Sequence, residues 1–140
     1  MKKVITLLAI LFISGCATTQ VSPQNAKFAP QDRVTGLQQK NNDSAKVTIV
    51  RDSGNTGGAC YTTVFIDGKS VARLDTGEKA EFYVPPGERI VGAALDGKGL
   101  CSFGGMREER DISVKAGESK FYRIFTDAYG NMDIKPTTLN

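Results

Sequence analysis

The sequence predicts an all-β fold, a small antiparallel β-sandwich of seven or eight strands over residues 46–136. Three observations predict it. Short β-branched or aromatic runs recur at a spacing of 8–12 residues. Turns separate them, among them Asp67-Gly68, Pro85-Pro86-Gly87 and Ala116-Gly117-Glu118. No stretch after residue 45 keeps a helical period.

The strands follow in order. Val47-Thr48-Ile49-Val50 is β-branched throughout and opens the domain. A glycine-rich loop, Asp52 to Gly58, precedes Tyr61-Thr62-Thr63-Val64-Phe65-Ile66. A phosphate-binding loop would need a following helix; a strand follows here, so this is read as a plain loop. Asp67-Gly68 is a strong hairpin signal, because a type I′ turn needs positive φ at both central residues. It leads into Ser70 to Leu74, and Asp75-Thr76-Gly77-Glu78 turns the chain again. Ala80, Phe82 and Val84 then alternate along one strand face, which Pro85-Pro86 ends, since proline cannot donate to a ladder. Arg89 to Leu95, Arg107 to Val114, Phe121 to Phe125 and Met132 to Lys135 supply the remaining strands.

Val64 to Lys69, Val84-Pro85-Pro86-Gly87-Glu88, Val114 to Glu118 and Phe121 to Ile124 together resemble the small β-sandwich domains of the PEGA and DUF2846 type. The resemblance covers about 45–127 and rests mostly on turn chemistry. It implies an Ig-like sandwich and no particular activity.

The N-terminus carries a different signal. Lys2 and Lys3 precede an apolar run, Val4 to Ile13, broken only by Thr6. The run is shorter than the ~20 residues a membrane span needs and suits a cleaved secretory signal over 1–15. Ile13-Ser14-Gly15-Cys16 resembles the lipobox of bacterial lipoproteins. The resemblance implies acylation of Cys16, and several acyl chains at roughly 0.8 kcal/mol per buried CH₂ hold a protein firmly to a bilayer. Ala17, with no aspartate at that position, implies sorting to the outer membrane. Residues 16–45 are expected to form a flexible, polar tether with an r.m.s. reach of roughly 30 Å. Phe28, Val34 and Leu37 are read there as isolated apolar residues. Residues 137–140 are read as a tail.

The chain of 140 residues holds 18 Lys or Arg and 15 Asp or Glu. Loss of Lys2 and Lys3 with the signal leaves 16 basic against 15 acidic side chains. That balance gives a nucleic-acid partner no support. Histidine and tryptophan are absent. The missing histidine removes the commonest general base, the Ser-His-Asp and Cys-His arrangements, and most zinc sites. With Cys16 assigned to lipid, Cys60 and Cys101 are read as a disulfide pair in an oxidising compartment. Metal ligation and a redox dithiol are the rival readings, weakened by the missing histidine and the absence of Cys-x-x-Cys spacing.

Two further clusters invite a chemical reading. Glu108, Glu109 and Asp111, with Arg107 and Arg110 interleaved, offer a carboxylate pair for hydrolysis or a solvated strand edge; the edge is the favoured reading. Tyr61, Phe103, Tyr122 and Tyr129 offer an aromatic patch or ordinary half-buried strand positions, and the second is favoured. The expectation is therefore a lipid-anchored, non-catalytic binding or scaffolding module on the periplasmic side of the outer membrane. It takes no metal or cofactor, and its partners are the membrane and an envelope protein. A soluble-ligand or glycan-binding module is the alternative, and a periplasmic hydrolase the more distant one.

Overall fold

A computed structural model describes residues 17–96, 101 and 106–139; the signal stretch, Cys16 and Phe103 lie outside them. The described strands are β1 (Lys27–Phe28), β2 (Ala45–Arg51), β3 (Tyr61–Ile66), β4 (Lys69–Leu74), β5 (Glu78–Val84), β6 (Gly87–Asp96), β7 (Glu108–Val114), β8 (Ser119–Thr126) and β9 (Met132–Pro136). They form two sheets, ordered β1-β5-β2-β8-β9 and β4-β3-β6-β7. The domain is a β-sandwich, as the strand spacing predicts. The eight strands β2 to β9 fall within the expected number, and β1 is a ninth, drawn from the segment read as a tether.

One face of each strand supplies the core. Val47, Ile49, Phe82, Tyr122, Ile124 and Ile134 point inward from the first sheet. Val64, Ile66, Leu74, Val91, Ile112 and Val114 meet them from the second. The period of two along each strand makes this possible. The Asp67-Gly68 turn has φ of 49° and 75° at its two central residues, the geometry a type I′ hairpin requires. Asp67 adds to the turn by accepting the Ile90 N–H at 3.0 Å.

Two pairings within these mostly antiparallel sheets are parallel. β2 runs parallel to β8, with Lys46 opposite Ser119 and Arg51 opposite Ile124. β1 runs parallel to β5. The β2–β8 pair is parallel because the strands between them carry the chain through the other sheet and back. β2 therefore lies inside its sheet and is buried on both faces: Val47 and Ile49 inward, Thr48 and Val50 outward. This explains its continuous β-branched run. Among the described residues, the Thr48 hydroxyl is the buried side-chain oxygen without a hydrogen-bond partner.

Residues 18–44 do not form the expected tether. They run past the ends of β8 and β2 to the start of β5 and then seal one side of the sandwich. Thr18 donates its N–H to the Thr126 carbonyl at 3.0 Å, and its hydroxyl accepts the Thr126 N–H at 2.9 Å. Thr19 bridges Ser53. The Val21 N–H reaches the Asp52 carboxylate at 3.3 Å, which is itself buried and paired with Arg123. β1 then caps the edge of β5. The Thr35 N–H donates to the Val71 carbonyl at 2.8 Å, and the Tyr83 N–H to the Leu37 carbonyl at 2.8 Å. The segment thereby occupies the open edges of β4 and β5, which would otherwise template strand addition. Val34 and Leu37 pack on the core, correcting their reading as isolated residues. Phe28 stays 62% exposed, with the Lys79 ammonium 4.4 Å from its ring centre. Backbone bonds do most of this docking, and they leave no hydrophobic period to read.

Arg33 locks the segment in place. Its guanidinium meets Glu78 in two bonds of 2.7 Å and the Arg73 carbonyl at 2.9 Å. Burial pushes the Glu78 carboxyl up, but hydrogen bonds from Arg33 and the Asp75 N–H outweigh it and hold the group below the usual glutamate range. On the opposite side of the sandwich, Arg110 of β7 clips Asp133 of β9 with bonds of 2.8 and 2.7 Å.

Two outcomes are expected. Thr48→Val keeps the shape and removes the orphan hydroxyl, so chemical denaturation should show a gain of about 1 kcal/mol. Arg33→Ala should lose about 1–3 kcal/mol, since Glu78 is left half-buried without its charge partner. The wild-type pair contributes stability above the ordinary glutamate pKa of about 4.3 and loses it as pH falls through the lower folded value. Melting temperatures measured from neutral pH down to acid should therefore converge for the two proteins. A gap that persists in acid would refute the ionic role of Arg33.

Candidate functional site

The two ends of the sandwich are built differently. One end collects the carboxyl ends of β2 and β8, the start of β3, the Asp75–Gly77 turn and the Asp127–Asn131 turn. Cys60 and Cys101 join there in a disulfide, with Cα atoms 5.5 Å apart, the separation such a bond needs. The bridge ties the entry to β3, just after the glycine-rich loop, to the chain beyond β6. Arg51 organises the loop beneath it. Its guanidinium donates to the carbonyls of Cys60 at 2.6 Å, Leu74 at 2.8 Å and Gly57 at 2.8 Å. Burial lowers its pKa, opposed by the charges of Asp75 and Glu78, yet an arginine stays cationic at any ordinary pH. The loop is tight: a Cβ on Gly58 would sit 2.8 Å from the Gly54 carbonyl oxygen. The loop closes on its own backbone there.

The other end holds the Asp67-Gly68 hairpin, the Pro85–Gly87 turn, the Lys115–Glu118 turn and the loop from Leu37 to Ser44. Between that loop and the stretch from Tyr83 to Pro86 lies an open cleft of about 620 Å³. Gln38, Asn41, Asn42, Tyr83, Pro85 and Pro86 line it. Leu37 holds a left-handed backbone, φ 57°, where the chain turns into the cleft wall. The Ser44 hydroxyl accepts the Asn41 N–H at 3.0 Å and fixes the loop. The lining offers amide donors and acceptors, a phenol, two flat proline rings, the Asp43 carboxylate and the Ser44 hydroxyl. This chemistry suits a polar ligand. The cleft is not legible in the sequence because most of its wall belongs to the segment expected to be a tether.

The acidic cluster lies on β7, the edge strand of its sheet. Glu109 pairs with Arg107 at 2.9 Å and Arg110 with Asp133, so the alternating charges form a solvated, clipped edge. Among the described residues, Tyr61, Tyr122 and Tyr129 lie in different surroundings. Tyr122 is in the core, where burial and the Glu118 charge push its phenol pKa up. Tyr61 carries the guanidinium groups of Arg33 and Arg73 at 4.8 and 4.9 Å. Tyr129 stands 91% exposed in the β8–β9 turn.

Cys60→Ser and Cys101→Ser should each lower stability by about 2–5 kcal/mol. The double variant should be no worse than either single one. Thermal melts of the three proteins decide it, and alkylation of both thiols in unreduced wild-type protein would refute the bridge.

No protein-family model and no curated protein matches the chain.

Proposed function

We propose that this protein is a lipid-anchored module of the cell envelope, without catalytic activity, that binds a partner or ligand on the periplasmic side of the outer membrane. The Ile13-Ser14-Gly15-Cys16 motif supports the anchor, and Ala17 supports the outer membrane. The observation that carries the binding role is the cleft beside Tyr83, lined by amides and prolines. A small β-sandwich of the PEGA and DUF2846 kind is the domain type this reading assigns. A glycan is the second reading for the occupant, favoured by a phenol set among side-chain amides, which match sugar hydroxyls.

Cys16→Ser should abolish acylation and leave unprocessed precursor or soluble protein. Ala17→Asp should move the mature protein toward inner-membrane fractions on a sucrose gradient. A photoreactive side chain at Asn42 should capture an envelope component that the same group at Asp111 does not. Normal membrane partitioning of Cys16→Ser refutes the anchor; equal capture at both positions refutes the cleft.

A further inference from the structure

The position of Thr18 bears on how an anchored protein sits. Thr18 is held to Thr126 by bonds to both the N–H and the C=O of that residue. Thr19 exchanges backbone bonds with Ser53 at 2.7 and 3.0 Å. Both anchoring points lie at the disulfide end of the sandwich. Only Ala17 lies between Cys16 and Thr18, and a fully extended chain covers at most about 7 Å over those two Cα–Cα steps. The strands that separate the two ends run about seven residues, or roughly 23 Å. An acyl-bearing Cys16 therefore cannot reach a bilayer lying against the cleft end while Thr18 and Thr19 stay paired.

A second observation points the same way. Tyr129 and Met106 are the most exposed large apolar side chains described, at 91% and 86%. Tyr129 sits in the turn after β8, and Met106 just before β7, so both belong to the disulfide end. An exposed tyrosine suits the interfacial layer of a membrane, where an apolar body and a polar tip are both accommodated, and the methionine adds apolar surface at the same end.

We infer that the disulfide end is a membrane-docking face: the lipid bilayer covers it, and the cleft end is held away from the surface by the length of the sandwich. The inference rests on acylation of Cys16. It makes the protein a fixed-orientation module, with its binding cleft presented toward the aqueous space rather than swung about on a leash.

The absence of tryptophan from the wild-type chain makes a direct test simple. Tyr129→Trp and Ala116→Trp place one reporter at each end of the full acylated protein. Each variant is reconstituted in phosphatidylethanolamine–phosphatidylglycerol vesicles whose acyl chains are brominated. Quenching should be severalfold stronger for the reporter at position 129 than for that at 116. A flexible Gly-Ser insertion of about twelve residues between positions 17 and 18, with an r.m.s. reach of roughly 20 Å, should shrink the difference. The mass of the N-terminal peptide reports acylation separately. Acylated protein with equal quenching at both ends, or stronger quenching at 116, overturns the orientation and leaves the anchor standing. Protein without acyl chains overturns the anchor and, with it, the orientation. A difference that survives the insertion overturns the short reach as its cause.

Discussion

The carboxyl end of β2 sets two opposite charges side by side, Arg51 and Asp52, and keeps both out of water. Taking an ion out of water costs several kcal/mol unless partners replace the lost hydration. The fold supplies partners from separate parts of the chain. Arg51 takes carbonyls from the loop before β3 and from the end of β4 in the opposite sheet. Asp52 takes Arg123 from β8 and the Val21 N–H from the N-terminal segment. Each partner must be in place for either charge to be tolerated. The two residues therefore join both sheets, the disulfide-bearing loop and the docked N-terminal segment at one point.

A sandwich has two open sides, and they are closed by different means. On the β4–β5 side the chain itself fills the gap, through β1 and the segment that follows it. On the β7–β9 side a guanidinium–carboxylate clip spans the sheets without added backbone. The first solution satisfies ladder groups directly. The second leaves the β7 ladder facing solvent and guards it with charges of both signs, a known defence against strand addition.

The parts of this fold that were legible in the sequence are those written in side-chain pattern. Alternation in Ala80-Glu81-Phe82-Tyr83-Val84 gives a strand and its inner face. Asp67-Gly68 gives a turn because few other pairs tolerate its backbone. The cysteine count gives the bridge between Cys60 and Cys101. Four features were illegible, each for a physical reason. Residues 18–44 dock through main-chain groups that every residue carries, so their polar composition reads as unstructured. The parallel β2–β8 pairing depends on the route of the intervening chain, which no local period encodes. The cleft is formed where Leu37 and Tyr83 meet, 46 positions apart in the chain, and neither is unusual alone. The buried Arg51 and Asp52 were hidden as well, since a charged pair beside a glycine-rich loop ordinarily reads as solvent-facing.

The β2–β8 register has a consequence for the order in which the chain matures. Lys46 pairs with Ser119, and Thr18 with Thr126, which is 108 positions away. Closing such loops is slow compared with making a hairpin. As the chain emerges from synthesis or translocation, the β3–β4 hairpin can zip at once, and β5 can join β2 soon after. The flank of β2 reserved for β8 has to wait until nearly the whole chain has emerged. During that interval an apolar, β-branched strand stands with an open ladder, a state prone to self-association. The protein's most exposed moment therefore comes late in its emergence, and a holding factor would be most useful then.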